Sequence, residues 1–392
     1  MNLNALEIGL ISILILCLII QLFYYWIVLA KPYSYMKSIA DGDLQIPTAQ
    51  PPVSIIISIQ KINTDLSRFL TNILEQDYPE FEVIVVTDGI SNTDNEALTR
   101  LKNKHINLYL THIPEDTRNI SRKKLALTLG IKASKYDCLL FTEPDSLTRT
   151  KNWIFSMVRH FSKKKSIVLG FSAVVNLNSL FQKFMAFDYF FTNLQMISLA
   201  LFNRPYAGNG RSMAYTKKHF MEQKGYVKHR ILKRGEDDLF INEIASENNT
   251  AVELSANSVI LTEINDYRDW KRQKIDQMST KRFYKRGPVA FWRLESFSRI
   301  IFFVAFITCF ICGFPYKSTQ DFLFPCIAIF CFIVRFSSQL IVINRVVERL
   351  QLEKFYFTIL LFDVFQPFFN LYFFLYRLLK EKDDYTYLYE NR

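Results

Sequence analysis

Tyr136-Asp137-Cys138-Leu139-Leu140-Phe141-Thr142-Glu143-Pro144-Asp145-Ser146 is a short apolar run that stops at two carboxylates with one residue between them. A buried strand of a mostly parallel sheet has this look, and ligands in such sheets bind beyond the carboxyl ends of the strands. Two carboxylates placed there can share a hard divalent cation, for which oxygen ligands suit Mg2+ or Mn2+. Taken alone, the same residues also describe a strand end with two solvated acids.

Upstream, Val53-Ser54-Ile55-Ile56-Ile57-Ser58-Ile59 is a β-branched run suited to a buried strand, and Phe81 to Gly89 is a second that ends on Asp88 and a glycine. Between them, Leu66, Phe69, Leu70, Ile73 and Leu74 carry helical spacing within 65–75. Ser121 to Ala133 is a helix with Lys123 and Lys124 in its first turns. Strand, helix, strand, helix, strand predicts an α/β domain with right-handed crossovers. Parallel strands bring their carboxyl ends to one side, so Asp88, Glu143 and Asp145 are expected in one cleft. A lone Asp-Gly is otherwise a turn, and a lysine in a first helical turn is commonly solvated.

Downstream, Tyr206-Ala207-Gly208-Asn209-Gly210-Arg211 is a glycine loop that lets backbone approach a ligand closely. Gly235-Glu236-Asp237-Asp238-Leu239-Phe240 sets three carboxylates side by side. Their repulsion raises at least one pKa and favours a proton acceptor near neutral pH. A helix amino terminus, where acids complement the dipole, gives the same pattern.

Half of the 392 residues are hydrophobic and 36 are Phe, which sets the chain apart from ordinary soluble proteins. Residues 8–30 are nearly uninterrupted hydrocarbon, long enough to span a bilayer and without a basic leader or cleavage site. Lys31 and Lys37 follow it and no Lys or Arg precedes it, so the positive-inside rule puts the next domain in the cytoplasm, at the inner membrane. Pro47, Pro51 and Pro52 close a linker over 32–52, and the soluble domain is expected over 53–265. Residues 179–202 read as a buried or membrane-adjacent helix. Residues 266–298 are basic and aromatic, suiting the headgroup layer as well as a solvated basic helix. Three further apolar runs (300–315, 322–343 and 355–379) give two to three carboxyl-terminal spans before a tail at 381–392, and the second run contains Arg335, a charge expected to face protein or to snorkel. The net charge of +11 fits anionic headgroups, and nothing beyond charge points to nucleic acid. Cys17, Cys138, Cys309, Cys312, Cys326 and Cys331 lie in apolar runs or the candidate strand, and the five histidines are scattered, which argues against a disulfide framework and a zinc site.

In order along the chain, Gln76-Asp77-Tyr78-Pro79 through Asp88-Gly89, the Lys123/Ala126/Leu127 helix, Glu143-Pro144-Asp145, the Gly208/Gly210 loop and Glu236-Asp237-Asp238-Leu239 resemble a membrane-anchored family-2 glycosyltransferase of the cellulose, hyaluronan and poly-N-acetylglucosamine synthase type. The resemblance covers roughly residues 53–286. It implies a GT-A fold, a Rossmann-like, mostly parallel mixed sheet flanked by membrane helices. It implies an inverting sugar transfer from a UDP- or GDP-sugar to a lipid-linked or glycan acceptor, as in cell-envelope or polysaccharide biosynthesis, with Mg2+ or Mn2+. By position, Asp88 and Lys123 would contact the nucleotide, Glu143 and Asp145 would bind the metal and diphosphate, and Gly208 and Gln273 would belong to the donor site. Glu236, with Asp237 beside it, would be the catalytic base.

The chain departs from the pattern in four places. Glu143 replaces the first acid of DxD, and Glu236 stands where the base is Asp. QxxRW has become Gln273-Lys274-Ile275-Asp276-Gln277, so Lys274 or Arg272 is expected to support the diphosphate. Gln60-Lys61-Ile62-Asn63 replaces the usual Asn-Glu after the first strand. These changes leave open an alternative, a weakened pseudo-glycosyltransferase that binds a nucleotide sugar or a partner synthase.

Overall fold

The computed structural model describes residues 5–60, 66–89, 92–114, 121–230, 232–264, 266–313, 319–356 and 358–380. The stretch after the first strand, 61–65, and the tail at 381–392 lie outside the described residues. Contacts divide the chain into two units, residues 1–34 with 286–372, and residues 35–285 with 373–392.

In chain order the elements are α1 (Ala5–Phe23), running on as a π-helix through Tyr24–Leu29, α2 (Lys31–Ala40), β1 (Val53–Ile59), α3 (Leu66–Leu74), β2 (Phe81–Thr87), α4 (Asn92–Lys104) and β3 (Leu108–His112). Then come α5 (Arg122–Ala133), β4 (Cys138–Phe141), β5 (Ser146–Thr148), α6 (Trp153–Val158), β6 (Ile167–Leu169), β7 (Ser172–Val174), α7 (Leu180–Leu201), β8 (Met213–Thr216), α8 (Lys217–Glu222) and α9 (Asp238–Ile244). The chain continues with β9 (Thr250–Val252), β10 (Ile260–Thr262), α10 (Tyr267–Lys281), α11 (Arg286–Gly313), α12 (Thr319–Arg349) and α13 (Thr358–Lys380).

The larger unit is built on a seven-stranded sheet in the order β3-β2-β1-β4-β8-β6-β9. β3, β2, β1 and β4 are parallel, with Val53 in register with both Phe81 and Cys138, and β8 runs antiparallel to β4. A smaller sheet, β5-β10-β7, completes the mixed architecture. The β-branched runs bury on both faces: Val53, Ile55, Ile56, Ile57, Val83 and Val85 have no exposed surface. Gly130 lets α5 press onto β1 and β2, since a Cβ there would lie 2.8 Å from Ile56 Cγ2. A crossover helix runs antiparallel to its strands, so this seats the first turn of α5 at their carboxyl ends. The chain leaves β1 toward β2 on one side and returns on its other side as β4, a switch point that opens a crevice there.

The smaller unit holds α1, α11, α12 and most of α13, and among the described residues four helices are long and apolar enough to cross a membrane. Three of these are carboxyl-terminal. α11 starts at Arg286, well before the apolar run at 300, and two of the charges that interrupt its hydropathy, Glu295 and Arg299, are paired inside the unit. Arg299 reaches Glu295 at 3.1 Å and Asp363 at 3.3 Å. Arg335, fully buried, faces protein as expected and pairs with Asp363, Gln21 and Tyr25. The first helix continues to Ala40, so the stretch read as linker begins helical.

Candidate active site

Three consecutive cations open α5: Arg122, Lys123 and Lys124. Positive charge is disfavoured at the positive end of a helix dipole, and here each side chain is matched by acceptors from another element. Arg122 Nε bonds both oxygens of Asp88, the acid after β2, at 2.7 Å. Lys123 Nζ lies 2.6 Å from Glu143, after β4, and 2.9 Å from Glu236. Lys124 has no exposed surface and donates to the carbonyls of His229, Leu232 and Arg234 at 2.7, 2.7 and 2.8 Å. One helical turn therefore ties together two strand-end acids and the loop that leads into the Glu236-Asp237-Asp238 run.

Arg211 supplies the facing wall. Its guanidinium forks onto Asp145 at 3.1 and 2.5 Å and touches Glu143 at 3.2 Å. The loop around it is supported from β7 and α7: Asn209 Nδ2 lies within hydrogen-bond reach of Ser172, Tyr189 and Asn193 at 2.8, 2.9 and 2.8 Å. Gly210 N–H donates to Asp237 Oδ2 at 3.0 Å, and a Cβ on Gly210 would lie 3.4 Å from Glu143. Asp145, Glu143, Glu236 and Asp237 thus converge around Lys123 and Arg211, with Asp88 at the flank through the neighbouring Arg122.

The two base candidates are not equivalent. Glu236 is 3% exposed; one oxygen is on Lys123 and the other, Oε2, is buried with no hydrogen-bond partner among the described residues. Burial alone would raise its carboxyl, but Lys123 and Arg234 hold it below the usual range. Asp237 is only half-buried, and burial with the adjacent Glu236 charge pushes its carboxyl up. Asp238 is pushed up to about 7 by burial and by Asp237, despite the hydroxyls of Thr280 and Tyr284 bonded to it. The crowding read from the sequence therefore raises two of the three acids. The dipole reading holds as well, since α9 starts at Asp238 and Asp237 caps it, accepting from the Asp238 N–H at 2.7 Å. Glu143 is held well below the ordinary carboxylate range, because Lys123 and Arg211 outweigh its burial.

Three expected residues take other surroundings. Gly208 is buried, and a Cβ there would sit 2.6 Å from Ile241, so its close approach is to α9. Gln273 lies on α10, partly buried, with no side-chain partner among the described residues. Lys274 does not face the site: it is 4% exposed and paired with Asp188 of α7 at 2.6 Å, while Arg272 is exposed. Asp276 instead pairs with Arg234 at 2.9 Å. Arg122, Arg211, Arg234 and Asp188 carried no sequence signal as site residues, beyond Arg211 standing beside the glycine loop.

Glu143 and Asp145 offer carboxylate oxygens to a cation, and a carboxylate oxygen bonded to arginine keeps a lone pair for a metal. Among the described residues no set of three or more Asp, Glu, His or Cys gathers to hold an ion. Mg2+ and Mn2+ bind through one or two carboxylates with phosphate and water completing the shell, so Glu143 and Asp145 are the pair that could hold either, in competition with Lys123 and Arg211, which occupy all four oxygens. Beyond the ends of β2 and β3 lies a cavity of about 580 Å3, lined by Thr87, Gly89, Asn95, Thr99, His112 and Arg122 among others.

The family model described as glycosyl transferase family 21 matches residues 13–382. Over 168 residues the chain is 23% identical to the poly-beta-1,6-N-acetyl-D-glucosamine synthase of Staphylococcus epidermidis, covering 42% of this chain and 38% of that protein's length. Among solved structures, the mannosyltransferase PcManGT of Pyrobaculum calidifontis, in complex with GDP-Man and Mn2+, superposes with a TM-score of 0.51 at 15% identity, covering 86% of this chain and 99% of that one. S. aureus TarS 1-349, in complex with UDP-GlcNAc, gives a TM-score of 0.39 at 15% identity over 76% of this chain and 82% of that one. The likeness to PcManGT is one of fold, the GT-A fold that the order of motifs implied. With its model spanning nearly the whole sequence, the chain belongs to glycosyl transferase family 21.

Proposed function

We propose that the protein transfers a sugar, with inversion, from a nucleoside diphosphate sugar to the hydroxyl of a lipid-linked or glycan acceptor at the cytoplasmic face of the membrane. The observation that carries this reading is the meeting of Glu143 and Asp145 with Glu236 and Asp237 around Lys123 and Arg211. The cavity beside Asp88 and Arg122 has the size of a small-molecule site and suits the nucleoside. Glu143 and Asp145 would hold the divalent cation, which when bound offsets charge on the leaving diphosphate.

Asp237 is the proton acceptor in this reading. It is reachable, and burial with the Glu236 charge beside it pushes its carboxyl up, the direction that makes a carboxylate a better proton acceptor. As the acceptor oxygen bonds to the anomeric carbon, its proton passes to Asp237, and the bond from that carbon to the diphosphate oxygen breaks with its electron pair leaving on the phosphate. Glu236 stays ionised and fixes Lys123. The basic helix α10 and the apolar helices would keep the domain at the headgroup layer.

Thermal stabilisation by UDP, GDP and their sugars, with and without Mn2+, tests the donor, because a ligand bound only to the folded state raises the midpoint. One nucleotide class should raise it, and nucleoside diphosphate should form as the sugar appears on the acceptor. Stabilisation without turnover on any acceptor supports the pseudo-enzyme instead; no stabilisation by any member of the panel contradicts both.

A further inference from the structure

Of the three cations facing the site acids, two are already taken up. Lys123 is held between Glu143 and Glu236, and Arg211 is forked onto Asp145. Arg234 is different. Its Nε lies 2.9 Å from Asp276 Oδ2, an ion pair without the alignment of a hydrogen bond, and neither terminal nitrogen has a hydrogen-bond partner among the described residues. Its side chain is 32% exposed, against 19% for Lys123 and 11% for Arg211, so of the three it is the most open to a ligand.

Open does not mean loose. The carbonyl of Arg234 is gripped by the fully buried Lys124 at 2.8 Å. Asp276 belongs to α10, which is pinned to α7 where Lys274 Nζ and Trp270 Nε1 meet Asp188 at 2.6 and 3.3 Å. The backbone is held, and the ion pair with Asp276 draws on the Nε side of the guanidinium, leaving its terminal nitrogens presented. Two residues on is Glu236, and the charges of Glu236, Glu143 and Asp237 act on Arg234 along with that of Asp276. A planar fork with an open edge is a bidentate receptor for phosphate oxygens. The chain also carries an acid, Asp276, where the motif it resembles has arginine, and supplies a guanidinium from the facing loop.

We propose that Arg234 binds the phosphate groups of the nucleoside diphosphate donor and that Asp276 is the positioning residue that aims it. This rests on the donor-site reading above, and the experiment separates the two. Affinities of UDP, GDP, uridine and guanosine are measured on the full-length purified protein, alongside the ligand-free thermal midpoint. Arg234→Gln is expected to weaken the diphosphate that binds the wild type by about tenfold or more while leaving its nucleoside unchanged, the loss of a charge-assisted pair. Asp276→Asn should weaken it less, and Arg234→Ala with Asp276→Arg should recover part of the loss, which a purely structural ion pair would not do. Arg234→Lys keeps the charge without the fork and serves if the glutamine variant does not fold. Diphosphate affinity unchanged in Arg234→Gln, or in Arg234→Lys where the glutamine variant does not fold, overturns the assignment, as does an Arg234→Ala/Asp276→Arg protein that binds no better than Arg234→Ala. A wild type that binds neither UDP nor GDP takes down the donor site and the assignment with it.

Discussion

The ammonium of Lys124 donates to the carbonyl of Arg234 at 2.8 Å, from a side chain with no exposed surface. The same ammonium donates to the carbonyls of Leu232 and His229, the latter also accepting the Leu232 N–H at 3.1 Å, and each buried acceptor left unmet costs about 1–3 kcal/mol. Lys124→Met is expected to lower the unfolding midpoint. It should also cut turnover more than nucleotide affinity, because the loop that carries Glu236 and Asp237 loses its anchor. Equal kcat in a folded Lys124→Met variant argues against that anchoring role.

At Gly210 the backbone runs so close to the acids that a Cβ would stand 3.1 Å from Asp237 Oδ2 and 3.4 Å from Glu143 Oε1. Gly210→Ala should leave stability nearly intact while displacing Asp237. Misplacement of a reacting group by about an ångström can cost ~100-fold in rate. A fall of tenfold or more in kcat is expected, read from product formation at saturating donor.

Asp238 sets a pH dependence. Its carboxyl is raised by burial and by Asp237 from 3.8 to about 7. The folded state binds that proton more tightly than the unfolded chain, so the stability contributed is full below about pH 4. It is lost as pH rises through about 7. Asp238→Asn, which mimics the protonated form, should flatten the decline of the midpoint between pH 5 and 8; an unchanged slope would show that another group carries it.

Within the membrane unit, Asp363 accepts from both Arg335 and Arg299, and all three are 2% exposed or less. Removing one partner of a buried pair costs about 3–5 kcal/mol, because the remaining charge is left uncompensated. Asp363→Ala should give little monodisperse protein in detergent. Replacing Arg335→Met together with Asp363→Leu should recover part of that yield.

The parallel half of the sheet was legible because its strands bury on both faces and so read as unbroken β-branched runs. The acids were legible because carboxylates at strand ends and at a helix start stand out against such runs. The cations were not. Arg122, Arg211 and Arg234 meet partners 34, 66 and 42 positions away, at Asp88, Asp145 and Asp276, and nothing local distinguishes them from solvated side chains. Lys274 was misread for the same reason, since its acid, Asp188, lies inside a helix that reads as apolar. The start of α11 was hidden because hydropathy counts Glu295 and Arg299 as interruptions, whereas their mutual pairing removes that penalty.

Asp237, half-buried with its carboxyl raised and Gly210 N–H on one oxygen, is the residue on which proton transfer is proposed to turn. The most direct test is the rate of sugar transfer by full-length Asp237→Asn against wild type, with donor affinity measured in parallel. General-base catalysis contributes about 10²–10⁴-fold, so kcat should fall by at least ~100-fold while the nucleotide binds as before. Transfer at the wild-type rate would contradict the assignment of Asp237 as the base and, with it, the reading of this acid cluster as a catalytic centre.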